Sequence, residues 1–175
     1  AEGKGLAVSV IDDYSTDPQW VAAVADSIRA WREQHGTGEH LLFSFHGLPQ
    51  RTADGGDPDP QRCAASVQAI TAALGLAPAD WTLTFQSRFG KERWLEPATD
   101  KTLEAMAARG LRQVDVVCPC FAVDCLETLE EVAMQFAEHF AARGGQLRYI
   151  PCLNATSAHA EALSALVLRA AGREA

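Results

Sequence analysis

Leu41-Leu42-Phe43-Ser44-Phe45-His46-Gly47-Leu48-Pro49 decides the fold. Residues 41–45 form an almost unbroken apolar run of the kind that suits a strand buried on both faces of a parallel sheet. Gly47 and Pro49 end the run, and His46 stands at its carboxyl end, where Gly47 is expected to let the chain turn sharply and aim the imidazole into a crevice.

Working outward, four more short apolar runs, 6–11, 81–85, 113–118 and 147–150, are separated by longer amphipathic, alanine-rich stretches. This alternation is the pattern of repeated βα units. It predicts an α/β, three-layer, doubly wound sandwich with a mainly parallel sheet of five strands, spanning 1–175 as a single lobe. Polar caps mark the expected helix starts: Ser15 or Asp17 before Pro18, Asp59 before Pro60, Thr99 before Asp100, Asp124 before Leu126, and Thr156 or Ser157 before Ala158. Glycines at 75, 110, 144 and 172 mark the ends. In such sheets ligands bind beyond the carboxyl ends of the strands, so the long post-strand segments 47–60 and 88–97 are where a site is expected.

Charge and composition exclude several classes. A net charge of −8 gives no basic face for a phosphate backbone, so no nucleic-acid partner is expected. Apolar stretches are broken well before the roughly 20 residues needed to cross a bilayer, and Ala1-Glu2-Gly3-Lys4-Gly5 has no signal-peptide core, so neither a transmembrane segment nor export is expected. Five cysteines leave an odd one over and suit free thiols in a reducing cytoplasm. Gly55-Gly56 lacks the spacing of a dinucleotide loop.

His46 can take a proton or ligate a borderline metal near neutral pH, although a packing histidine at a strand end has the same sequence appearance. Asp124, Glu127 and Glu131 are spaced i, i+3 and i+7, which on an α-helix puts three carboxylates on one side, with Glu138 two turns on. Such a file suits a hard cation or protons, and equally a solvated acidic face at a helix amino terminus. Cys118, Cys120 and Cys125 have no paired Cys-x-x-Cys spacing and read first as small apolar residues. Trp94, Phe89 and Phe121 in the post-strand segments suit either a flat conjugated ligand or the anchoring of their own loops.

Taken together, SFHGLP at 44–49, GDPDPQ at 56–61, TFQSRFG at 84–90, WLEPATD at 94–100, FAVDCLETLEE at 121–131 and LNAT at 153–156 resemble the carboxy-terminal half of bacterial ferrochelatases, in the same order from about 13 to 167. The resemblance implies a chelatase-like fold and insertion of Fe2+ into protoporphyrin IX in heme biosynthesis. It gives His46 and Glu127 as catalytic and metal-holding partners, Trp94 and Phe121 as porphyrin-pocket aromatics, and Asp124 and Glu131 as part of a proton or metal path. It further implies no organic cofactor, Fe2+ as substrate, and a missing amino-terminal lobe as partner. Asp59 stands where the family often has tyrosine, and no cysteine-rich tail follows Val167, so no iron–sulfur cluster is expected.

Overall fold

The computed structural model describes residues 8–172. Four strands, β1 (His40–His46), β2 (Trp81–Gln86), β3 (Gln113–Val117) and β4 (Gln146–Tyr149), form one sheet in the order β2-β1-β3-β4, with every pair parallel. Helices α1 (Pro18–His35), α2 (Gln50–Asp54), α3 (Asp59–Leu74), α4 (Thr99–Ala108), α5 (Ala137–Ala141) and α6 (Ser157–Ala170) flank it. A π-helical segment, Glu127–Phe136, runs directly into α5.

Alternation along β1 divides the core into two. Leu41, Phe43 and Phe45 face Val24 and Ile28 of α1, Val67 and Ile70 of α3, and Ala162 of α6. Leu42 faces the other way, with Leu103 and Met106 of α4, Val132 and Phe136 of the π-helical segment, and Phe140 of α5. The result is the expected three-layer α/β sandwich. Burying each such aliphatic or aromatic side chain contributes about 1.5–3 kcal/mol, and β1 is buried on both faces because helices cover both.

Among the described residues the expected fifth strand is not formed. Of 6–11, positions 6 and 7 lie outside the described residues, while Val8, Val10 and Ile11 are exposed and in no strand. With no neighbouring strand to take its backbone hydrogen bonds, a β-favouring composition is not enough.

Asp17 caps α1, accepting from Gln19 N–H at 3.0 Å and Trp20 N–H at 3.3 Å, and Thr156 caps α6 through His159 N–H. Three other expected caps are corrected. Asp59 is the first helical residue of α3, and Asp57 accepts its N–H at 2.9 Å. Thr99 lies inside α4, where its hydroxyl is drawn into a buried pair with Ser44 at 2.8 Å and Thr84 at 2.9 Å. Asp124 precedes the helix and faces away from it. For Thr99 and Asp124 a partner distant in the chain outweighs a local cap worth about 1 kcal/mol, whereas at Asp59 the helix simply starts one residue earlier than expected.

Candidate functional site

The carboxyl ends of β1, β2 and β3 bring the candidate residues together. His46 ends β1, half-buried, with its Nδ1 2.8 Å from the carbonyl of Gly47. A carbonyl only accepts, so Nδ1 is the nitrogen that donates here, and Nε2 takes no part in that bond. The His46 N–H donates to the Cys120 sulfur at 3.4 Å, and the Phe121 ring lies 6.5 Å from the imidazole at a 58° tilt. Phe121 therefore stands beside the histidine as an aromatic wall.

Gly47 is needed for a reason other than the expected turn. A Cβ there would lie 2.8 Å from the Gln86 carbonyl oxygen and 3.3 Å from Cε3 of Trp94. Close approach of β1 to β2 and to the indole, not a left-handed backbone, makes the position glycine. Trp94 is buried, its indole N–H donates to the Phe89 carbonyl at 3.0 Å, and Phe89 packs against it with ring centroids 5.0 Å apart. Trp94 thus anchors its loop and backs His46 through Gly47. The two post-strand segments are also tied together, Gln50 N–H to the Arg93 carbonyl and Leu95 N–H to the Leu48 carbonyl.

The carboxylates do not form one file. A π-helix closes i→i+5 rings, so its side chains advance differently from the α-helical spacing, and Asp124 lies before it. Glu131 turns to the end of β2: Ser87 donates its N–H at 2.7 Å and its hydroxyl at 2.6 Å, and Gln86 Nε2 lies at 3.2 Å. Asp124 turns to the opposite edge, beyond β4, and accepts from Tyr149 Oη at 2.6 Å, Cys152 N–H at 3.0 Å and Asn154 Nδ2 at 2.8 Å. Burial opposes ionisation of Asp124, but these bonds outweigh it and hold the carboxyl below its usual range. Glu127 lies between the two, and Glu138 is exposed on α5. The Glu127 carboxyl is held below its usual range first by its own N–H, then by the Cys125 thiol, with the charge of His46 adding to both.

Sequence reading passed over Gln86 and Ser87 as site residues, although both lie in the TFQSRFG stretch. Gln86 is only 1% exposed, at the end of an otherwise apolar strand, and that placement was the available signal. Asp59 was passed over as well: desolvation raises its carboxyl above the usual range, and the Cys63 thiol donates to it at 3.7 Å. Cys118 is buried with its thiol 3.5 Å from Gln86 Oε1, and Cys120 is occupied by His46. Among the described residues, no three carboxylate, thiol or imidazole groups are arranged to hold a metal ion.

Two cavities lie at the carboxyl ends of β1 and β2. One, of about 510 Å³, is lined by Gln86, Ser87, Arg88, Trp94, Glu131 and His139 among others. A second, of about 230 Å³, is lined by Tyr14, Phe45, Asp59, Cys63 and Cys120 among others. His46 and Glu127 line neither. His46 ends β1, and Glu127 opens the π-helical segment that follows β3. Among the described residues, no helix is long and apolar enough to cross a membrane.

Comparison with known proteins shows the family. The family model described as ferrochelatase matches residues 1–171. The chain is 62% identical over 164 residues to the ferrochelatase of Stenotrophomonas maltophilia, covering 94% of this chain and 51% of that one. It is 60% identical over 165 residues to that of Xanthomonas axonopodis pv. citri, covering 94% and 52%, and 48% identical over 158 residues to that of Vibrio cholerae, covering 90% and 49%. The chain therefore spans about half the length of the relatives it matches. With its parallel sheet in a three-layer sandwich, its histidine at the end of β1 and its carboxylate-bearing segment after β3, the chain belongs to the ferrochelatase family.

Proposed function

We propose that this chain forms the half of a ferrochelatase that carries the proton-accepting and metal-handling residues, for insertion of Fe2+ into protoporphyrin IX to give protoheme. The observation that carries this reading is His46 at the carboxyl end of β1, its Nδ1 donating to the Gly47 carbonyl, together with a Glu127 carboxyl held below its usual range. Metal insertion removes two pyrrole protons as one Fe2+ enters, with no change of oxidation state, so the chemistry calls for proton acceptors and transient ligands and for no organic cofactor. An imidazole and a carboxylate of moderate affinity can hand iron over without trapping it, whereas a closed three-ligand set would retain it.

In this reading Phe121 contacts the macrocycle beside His46, and Trp94 supports it from behind. Glu131, bordering the larger cavity, belongs to the route for metal or protons. Asp124, its oxygens already taken up by Tyr149, Cys152 and Asn154, serves that route by holding in place the chain that leads to Glu127. Five free cysteines support a reducing, cytoplasmic setting.

A second reading is favoured by the openness of the pair: the lobe binds porphyrin or metal and turns over only with an opposing amino-terminal lobe. The deciding experiment is anaerobic incorporation of Fe2+, or of Zn2+ in its place, into protoporphyrin IX by this chain and by His46→Ala and Glu127→Gln variants. Insertion lost in both variants is the expected result. Insertion only after the missing lobe is added makes the chain half an enzyme, and insertion indifferent to both substitutions overturns the site.

A further inference from the structure

Gln86 is the residue through which the strand carrying His46 meets the segment carrying Glu127. On its main-chain side it is the register partner of His46, and its carbonyl accepts the Gly47 N–H at 2.9 Å. On its side-chain side Nε2 donates to the Glu127 carbonyl at 2.7 Å and reaches Glu131 Oε2 at 3.2 Å.

The amide has only one workable orientation. Oε1 accepts from the Ser44 hydroxyl at 2.6 Å and from the Cys118 thiol at 3.5 Å, while Nε2 faces a carbonyl and a carboxylate, both of which only accept. Flipped, the side chain would set acceptor against acceptor in a place where no water substitutes, since Gln86 is 1% exposed. Ser44 is itself braced by Thr99 at 2.8 Å, and Thr99 by Thr84 at 2.9 Å, so β1, β2 and α4 all contribute to the aim of one amide. The bond to Glu127 falls on the first residue of the π-helical segment, a conformation rare enough to need outside support.

We infer that Gln86 is a positioning residue for the His46–Glu127 pair, setting the separation between imidazole and carboxylate by gripping the main chain of Glu127 from the register partner of His46. The inference rests on the chelatase reading for the purpose of that separation.

Calorimetric titration with Zn2+ of the parent chain, Gln86→Met, Glu127→Gln and the double variant provides the test, alongside amide hydrogen exchange without metal. Methionine keeps the length and removes both polar ends. If Gln86 acts through Glu127, Gln86→Met weakens Zn2+ binding roughly tenfold or more in the parent background and adds nothing in the Glu127→Gln background. Exchange then rises at residues 127–131 while β1 and β2 stay protected. Ser44→Ala, which removes the hydroxyl on the amide oxygen together with its bond to Thr99 and leaves Gln86 in place, gives the same pattern in smaller measure.

Equal losses in both backgrounds would make Gln86 a general packing residue and overturn the inference. A parent chain that binds no Zn2+ removes the metal reading of the pair, and exchange alone then decides: protection at 127–131 unchanged in Gln86→Met and in Ser44→Ala overturns the inference.

Discussion

Arg148 clamps Asp115 with two nitrogens, Nε at 2.9 Å and Nη2 at 2.6 Å, both on Oδ1. The other oxygen of Asp115 is taken by Arg32 Nε at 2.9 Å and Gly38 N–H at 3.0 Å. The carboxylate has no exposure, and Arg148 lies 5.1 Å over the Trp31 ring while donating to the His35 and Gly36 carbonyls. One charged cluster therefore joins β3, β4 and the end of α1 at the amino-terminal edge of the sheet, away from His46.

Asp115→Asn leaves two guanidinium groups buried without a full countercharge. The expected loss is about 3–5 kcal/mol. Urea unfolding checks it: the midpoint falls while the slope is kept, and a loss below about 1 kcal/mol would mean the cluster behaves as a surface pair.

Gly47→Ala drives a methyl group against the Gln86 carbonyl oxygen and the Trp94 ring. Overpacking of this kind costs about 1–3 kcal/mol, and relief by shifting the chain displaces His46 itself. Reduced stability with altered tryptophan emission is the expected pair of results. Unchanged values for both would show that β1 and β2 separate at no cost.

Asp124 ties acid stability to the site. Its folded pKa lies below its unfolded value, so its contribution is fully present above the unfolded value of about 4 and is lost as pH falls through the folded one. Stability of Asp124→Asn, followed from neutral pH into acid, falls less steeply than that of the parent. Parallel curves would remove Asp124 from the account.

Burial raises the Cys63 and Cys118 thiols, and brings those of Cys120 and Cys152 to about 12, leaving almost no thiolate at neutral pH. In the folded chain these four alkylate slowly with iodoacetamide compared with the urea-unfolded chain, as mass spectrometry of each cysteine would reveal. Rapid labelling of Cys120, the exposed one of the four, would mean that its thiol is not desolvated in the folded chain.

Much of this protein is legible in its sequence because burial on two faces imposes a short-range pattern. The run 41–45 specifies a central strand, its neighbours specify the alternation, and His46 and Glu127 fall after strands where parallel sheets put their sites. Asp17 and Thr156 are local caps and are read correctly from local residues. Other positions depend on partners distant in the chain. Asp115 sits in Gln113-Val114-Asp115-Val116-Val117, and nothing nearby announces Arg32 and Arg148 as its partners. Asp124 and Glu131 match an α-helical face by spacing, yet hydrogen bonds from Tyr149 and Asn154 on one side and Ser87 on the other, with a π-helical backbone between them, send them to opposite flanks. The strand expected at 6–11 is absent from its described part, 8–11, because a strand needs a neighbour's ladder as well as β-branched side chains. Sequence determined the layers, since these follow from periodicity, and placed His46 and Glu127 at or beyond the carboxyl ends of strands. Which acid faces which partner was decided only by tertiary structure, because buried polar groups must find hydrogen bonds wherever the fold brings them.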